Sequence, residues 1–184
     1  IRNWKMNPVS LEEARRIYRS TRNVAEKLKS VSVVICPPSV YIPALLNNRS
    51  ESSVSIGAQD VYFEEVGSFT GQISSAMLKD LGVTHVIVGH SERRARVDNQ
   101  GDTDEIVAKK VQSLLEAGLH PILCVGEKER DANGAYLDVL KTQIKNSLNK
   151  VPRKSIDKLI VAYEPLWAIG AKEAMDPATV YEMS

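Results

Sequence analysis

The chain has no excess of charge of either sign. It carries 24 Lys and Arg against 23 Asp and Glu, a net charge of +1 with His neutral. Nothing in that balance draws it toward nucleic acid or an anionic membrane. Long apolar runs are missing too: no stretch approaches the roughly 18 residues of a membrane-spanning helix. No basic-then-apolar segment opens the sequence, so no secretory leader is expected. Cysteine is scarce. Cys36 and Cys124 each stand in an apolar run, VVIC and PILCVG. They read as buried strand thiols rather than a disulfide pair, which suits a reducing, cytoplasmic compartment. Ser- or Pro-rich linkers and low-complexity tracts are also lacking, so a single domain is expected over residues 1–184.

What is present is an alternation. Short apolar runs, rich in Val and Ile, lie at Ile1–Met6, Ser32–Cys36, Val54–Ala58, His85–Gly89, His120–Val125 and Lys158–Tyr163. Each is about strand length and nearly all are apolar in the middle, the pattern of strands covered on both faces, as in a parallel sheet. Between them lie amphipathic stretches. Leu11–Lys29 follows Ser10, with Glu13 three residues on, a capping box. Asp104–Ala117 ends at Gly118, and Ala135–Asn149 repeats Leu137, Leu140, Ile144 and Leu148 at helical spacing. Such alternation predicts βαβ units with right-handed crossovers, an α/β fold. Asp176-Pro177 is an N-cap and N1 pair that opens one more helix. A closed (β/α)₈ barrel takes eight units and about 250 residues, so six units predict an incomplete barrel, roughly three quarters of one.

In a parallel α/β barrel the chemistry sits at the carboxyl ends of the strands. Asn3-Trp4-Lys5-Met6-Asn7 ends the first run, and alternation puts Asn3 and Lys5 on one face, opposite Trp4. A lysine there either meets an anion or snorkels into solvent. Gly89-His90-Ser91-Glu92-Arg93-Arg94 ends the fourth. His90 either sits at a helix N-terminus, whose macrodipole favours a neutral imidazole able to polarise a carbonyl, or belongs to a capping segment with Ser91 as N-cap. Glu164-Pro165 ends the sixth, before the apolar Leu166–Ile169. Desolvation there would raise the Glu164 carboxyl toward general-base range; the alternative is a glutamate paired with an arginine.

Taken together these segments resemble the triosephosphate isomerase family. The resemblance rests on Asn3–Asn7, Cys36-Pro37-Pro38, Gly57-Ala58-Gln59-Asp60, Phe69-Thr70-Gly71-Gln72-Ile73-Ser74, Gly89–Arg94, Cys124-Val125-Gly126-Glu127 and Tyr163–Gly170, in order across residues 3–170. It implies a (β/α) barrel of the TIM type, incomplete, with about six of eight βα units. It implies that dihydroxyacetone phosphate and glyceraldehyde 3-phosphate are interconverted through an enediolate, with no cofactor and no metal. Glu164 would be the base and His90 the neutral electrophile, an acid–base division for which this family is itself a standard case. Lys5 would stabilise the enediolate and phosphate charge, Asn3 would hold a substrate oxygen, and Gly170 would lend its N–H to the phosphate. The Phe69-Thr70 loop would contact a partner subunit, implying a homodimer or higher homo-oligomer.

The chain also departs from the family pattern. Family lids continue Ile-Gly-Thr-Gly-Lys, and here the string is Ile169-Gly170-Ala171-Lys172-Glu173. Gln72 stands where the family usually has a glutamate that would pair with Arg93. Arg96-Val97-Asp98-Asn99-Gln100-Gly101 replaces the usual aromatic-Gly-Glu. Two βα units with phosphate-gripping glycines are not in the sequence. Two further readings follow: a non-catalytic or nearly inactive truncated barrel that self-assembles through open sheet edges, and a fragment of a full isomerase.

Overall fold

The middle apolar runs become strands because their side chains find apolar cover on both faces, while the first and the last are only partly covered. The computed structural model describes residues 1–184 except 29, 48–52, 96–100, 132, 169–176, 178–180 and 182–184. The strands are β1 (Arg2–Asn3), β2 (Val33–Cys36), β3 (Val54–Ala58), β4 (His85–Val88), β5 (His120–Val125) and β6 (Ile160–Tyr163). They form one sheet in the order β1-β2-β3-β4-β5-β6, and every neighbouring pair is parallel. Register runs Ile35 to Ile56, Val86 to Pro121 and Cys124 to Ala162.

The period-two alternation sorts β2, β4, β5 and β6 between two apolar layers. Ile35, Ile56, Val86, Val88, Leu123 and Val125 join the helices in the larger core. Val34, Cys36, Ile87, Ile122 and Cys124 form a second cluster on the other face. Full burial of such a side chain stabilises by about 1.5–3 kcal/mol, so a polar substitution in either layer is costly. Both cysteines are free and buried. Burial pushes each thiol up to about 12, so neither is a nucleophile at neutral pH.

The helices are α1 (Leu11–Ala25), α2 (Ile42–Leu46), α3 (Ser75–Leu81), α4 (Ser91–Arg94), α5 (Asp104–Glu116) and α6 (Ala135–Ser147). Ser10 Oγ accepts from Glu13 N–H at 3.2 Å and opens α1, whose Ala14, Tyr18 and Ala25 face the core. Thr103 does the same for α5, and Gly118, at φ 74, lets the chain leave that helix in the left-handed region. Three expected lengths shrink. The first strand, expected over Ile1–Met6, pairs only at Arg2–Asn3, because Lys5 takes φ 52 and turns the chain away. The helix expected to reach Lys29 ends at Ala25, and Lys27 and Leu28 bond three residues back instead of four. The helix expected over Ala135–Asn149 closes at Ser147. The expected N-cap Asp176 lies outside the described residues; Pro177 is helical.

Candidate active site

The carboxyl ends of β1, β4 and β6 bring Asn3, Lys5, His90 and Glu164 into one connected chain of polar contacts. Gly89, at φ 68, turns the backbone off β4 and delivers His90 to the start of α4. His90 itself, rather than Ser91, is the N-cap: its Nδ1 accepts from Glu92 N–H at 3.2 Å. An Nδ1 that accepts carries no proton, so the ring proton sits on Nε2. That Nε2 lies 2.7 Å from Glu164 Oε1. Ser91, the first residue of α4, donates its N–H to Glu164 Oε2 at 3.1 Å. His90 is buried, and Glu164 is about one quarter exposed at 24%.

Glu164 corrects one expectation. Burial does push its carboxyl up, as an apolar strand end should. The hydrogen bonds from His90 and from the Ser91 N–H outweigh that, and the group is held below the usual carboxylate range. In this arrangement Glu164 is a hydrogen-bonded carboxylate, and its partner is a histidine, not an arginine.

Lys5 Nζ lies 2.7 Å from Glu92 Oε1, both side chains being substantially exposed. Asn3 Oδ1 accepts from Lys5 N–H at 2.9 Å. A lysine at φ 52 is strained, since the left-handed region crowds its Cβ. Gln59 holds it there: its Nε2 donates to the Lys5 carbonyl at 2.8 Å and to the Cys36 carbonyl at 2.9 Å. In the sequence Gln59 stands out only as part of Gly57-Ala58-Gln59-Asp60. Its role follows from β3 lying beside β2, which no local signal reveals.

Behind β6 sits Glu127, 1% exposed. Its Oε1 accepts from Tyr163 Oη at 2.7 Å and from Trp167 Nε1 at 2.8 Å. Burial and that carboxylate together hold the Tyr163 phenol well above its ordinary range. The apolar segment after Glu164 is thus tied down by a buried acid at Trp167. Gly170 and the departures at Ala171, Lys172 and Glu173 lie outside the described residues, as do residues 96–100.

Phe69 and Thr70 stand on the loop after β3, away from the His90–Glu164 pair in sequence and element. The Phe69 ring packs 4.7 Å from Tyr62 and stays 39% exposed, and Thr70 is exposed. Arg93 finds its carboxylate within its own chain: Asp60 lies 2.7 Å away, and Asp102 is 3.6 Å from Nε. The glutamine at position 72 therefore leaves Arg93 with a charge partner. Among the described residues no group of three or more His, Cys, Asp or Glu could hold a metal ion.

A family model described as triosephosphate isomerase matches residues 1–184. The chain is 43% identical over 176 residues to a triosephosphate isomerase of Clostridium botulinum (strain Loch Maree / Type A3), across 95% of this chain and 69% of that protein. It is 43% identical over 173 residues to one from Natranaerobius thermophilus, across 94% of this chain and 66% of that protein. The crystal structure of triosephosphate isomerase from Bartonella henselae superposes with a TM-score of 0.79 at 34% identity, covering 99% of this chain and 70% of that one. The chain thus spans about two thirds of the length of these relatives, and over that span its six parallel strands are those of a partial TIM barrel. On sequence and fold together, the chain belongs to the triosephosphate isomerase family.

Proposed function

We propose that the chain interconverts dihydroxyacetone phosphate and glyceraldehyde 3-phosphate by proton transfer, with Glu164 as base and His90 as the group that polarises the carbonyl. The observation that carries this reading is the 2.7 Å contact between His90 Nε2 and Glu164 Oε1, with Nδ1 occupied by the Glu92 N–H. It puts a proton acceptor and a proton donor side by side at the strand ends. When substrate enters between them, Glu164 exchanges its bonds to His90 and Ser91 for the C1 proton. His90 Nε2–H then donates to the C2 oxygen, on which negative charge collects as the enediolate forms. Glu164 returns the proton to C2, and the hydroxyl proton moves from O1 to O2. Losing the two hydrogen bonds that hold its pKa down leaves burial as the dominant influence, which raises Glu164 toward general-base range. An isomerisation of this kind has no net oxidation, and the reading calls for no cofactor.

Lys5 supplies positive charge for the enediolate and phosphate, and Asn3 holds a substrate oxygen. The Lys5–Glu92 pair is exposed, and such pairs contribute only about 0–1 kcal/mol, so an anionic substrate displaces Glu92 at little cost. Gly170 carries over from the resemblance alone as a phosphate contact. The same reading includes one domain over residues 1–184, a cytoplasmic site of action in keeping with two free thiols, and a homo-oligomer. For the oligomer the support is exposed apolar surface: Met6 at 89%, Val9 at 90% and Val66 at 87%, with Phe69 and Thr70 as the dimer contact. The non-catalytic reading has no observation in its favour, since the four polar groups lie together.

The test is a coupled assay of the purified chain with glyceraldehyde 3-phosphate, beside Glu164→Gln. Turnover by the parent and its loss in the variant is the expected result. Equal rates in the two, or no turnover by the parent, would sink the reading.

A further inference from the structure

The His90–Glu164 pair stands on a helix that cannot hold itself. α4 is a single turn of four residues, Ser91–Arg94. Helix nucleation is unfavourable, and isolated helices shorter than about 12–15 residues are marginal in water. Yet α4 supplies both the Ser91 N–H that holds Glu164 and the Glu92 N–H that fixes the His90 ring. Something outside the turn must fix its orientation.

Arg94, its last residue, reaches back to the residue before His90. Its Nε donates to the Gly89 carbonyl at 2.7 Å, and its Nη1 lies 2.6 Å from Asp104 Oδ1 in the first turn of α5. Asp104 Oδ2 in turn accepts from Asn146 Nδ2 of α6 at 3.4 Å. The carbonyl that Arg94 grips belongs to the Gly89–His90 peptide. Gly89 is in the left-handed region, where its own backbone offers little resistance to rotation. The guanidinium is a planar fork, so holding two acceptors fixes direction as well as distance. Arg94 and Asp104 are each only 18% exposed, which limits competition from water.

We propose that Arg94, anchored by Asp104, is a positioning residue for His90: it locks the Gly89–His90 peptide and so aims the imidazole Nε2. The inference rests on the reading of His90 and Glu164 as the proton-transfer pair. Rotation of that peptide by about 15° over the roughly 4.5 Å from Cα to Nε2 moves the ring nitrogen by ~1 Å, and a misplacement of that size costs about a hundredfold in rate. A residue that only stabilised the fold would change the melting temperature and leave the turnover number alone.

The experiment compares Arg94→Gln, Arg94→Lys and Asp104→Asn with the parent, and carries Glu164→Gln in parallel. Arg94→Gln should lower kcat by roughly tenfold to a hundredfold with KM within about threefold. Arg94→Lys, which keeps the charge and loses the fork, should recover part of it. If Arg94→Gln does not fold, Asp104→Asn decides: it keeps the side-chain shape, removes the anchor's charge and turns one of its two acceptor oxygens into a donor, and it should lower kcat in the same direction. A second readout is independent of turnover: ¹⁵N spectra of the His90 ring should show a fixed Nε2–H tautomer in the parent and an averaged one in the folded variant. Parent-like kcat together with a parent-like His90 spectrum in Arg94→Gln would overturn the proposal. Parent-like turnover in Glu164→Gln would instead overturn the reading of the site on which it rests.

Discussion

Replacing Lys110 by methionine should destabilise the chain heavily, and the surroundings of Lys110 set the size of the effect. Its side chain is 3% exposed, and its ammonium lies 2.7 Å from Asp60 Oδ1 and 2.7 Å from Asp102 Oδ2. Asp102 is 5% exposed, and Asp60 also meets Arg93 at 2.7 Å. The cluster balances two cations against two carboxylates. Without the ammonium, two carboxylates share one guanidinium, and Asp102 keeps Arg93 Nε at 3.6 Å. Methionine fills most of the lysine stem's volume, so the loss is electrostatic and not a cavity. Removing one member of a buried ion pair costs about 3–5 kcal/mol. At about 2–4 °C per kcal/mol for a chain of this length, Tm should fall by roughly 6–20 °C. Thermal and urea unfolding followed by circular dichroism measure it. A Lys110→Met/Asp102→Asn double variant should recover much of the loss, because neutral replacement of both members of a buried pair is often close to neutral. A single variant melting within about 2 °C of the parent would refute the argument, as would a double variant no better than the single.

Three further outcomes follow from the site. Glu164→Asp retracts the carboxylate by one methylene from His90 and from the substrate carbon, and should lose on the order of 10²-fold in kcat; an unchanged rate in a coupled assay would remove Glu164 from the role of base. Because Glu164 titrates below the usual range, its bonds to His90 and Ser91 add stability above the ordinary glutamate pKa, and that stability is lost as pH falls through the depressed value. His90→Ala should therefore shift the Glu164 titration upward in a ¹³C-carboxyl NMR experiment, and a titration that stays put would show that His90 does not hold it. Gly126→Ala would drive a Cβ into the backbone carbonyl of Glu164, so β6 must shift at its end; activity should drop by about tenfold or more, and a fully active variant would show that this close approach is not needed.

Much of the site was legible in the sequence because its parts are strand-end strings. His90 and Glu164 each follow an apolar run, and parallel strands bring such ends together. The direction of the Glu164 shift was not legible. Burial could be read from Leu166–Ile169, but the bonds from His90 and Ser91 come from a strand that is not its neighbour in the sheet. Arg93 and Lys110 have the same character. Asp60, Arg93, Asp102 and Lys110 are separated by up to 50 residues, and only the packing of α5 beside β4 shows that they share one cluster. Short helices are legible at most at one end: the start of α4 at His90 and Ser91 can be read, its extent cannot. At five and four residues α2 and α4 are too brief for a 3.6-residue period, while the seven-residue α3 carries terminal signals, Ser74 as N-cap and Gly82 in the left-handed region at its end. The first strand is shorter than the Ile1–Met6 run because Lys5, at φ 52, turns the chain away, and that turn belongs to the site.

The claim at the centre is that Glu164 moves a carbon-bound proton while His90 steadies the oxygen. Incubating dihydroxyacetone phosphate with the chain in D₂O and following the carbon-bound hydrogens by NMR tests it most directly. The parent should place solvent deuterium on the carbons that Glu164 serves, C1 of the recovered substrate and C2 of the product, and Glu164→Gln should not. Deuterium entering as fast with Glu164→Gln as with the parent would contradict the account.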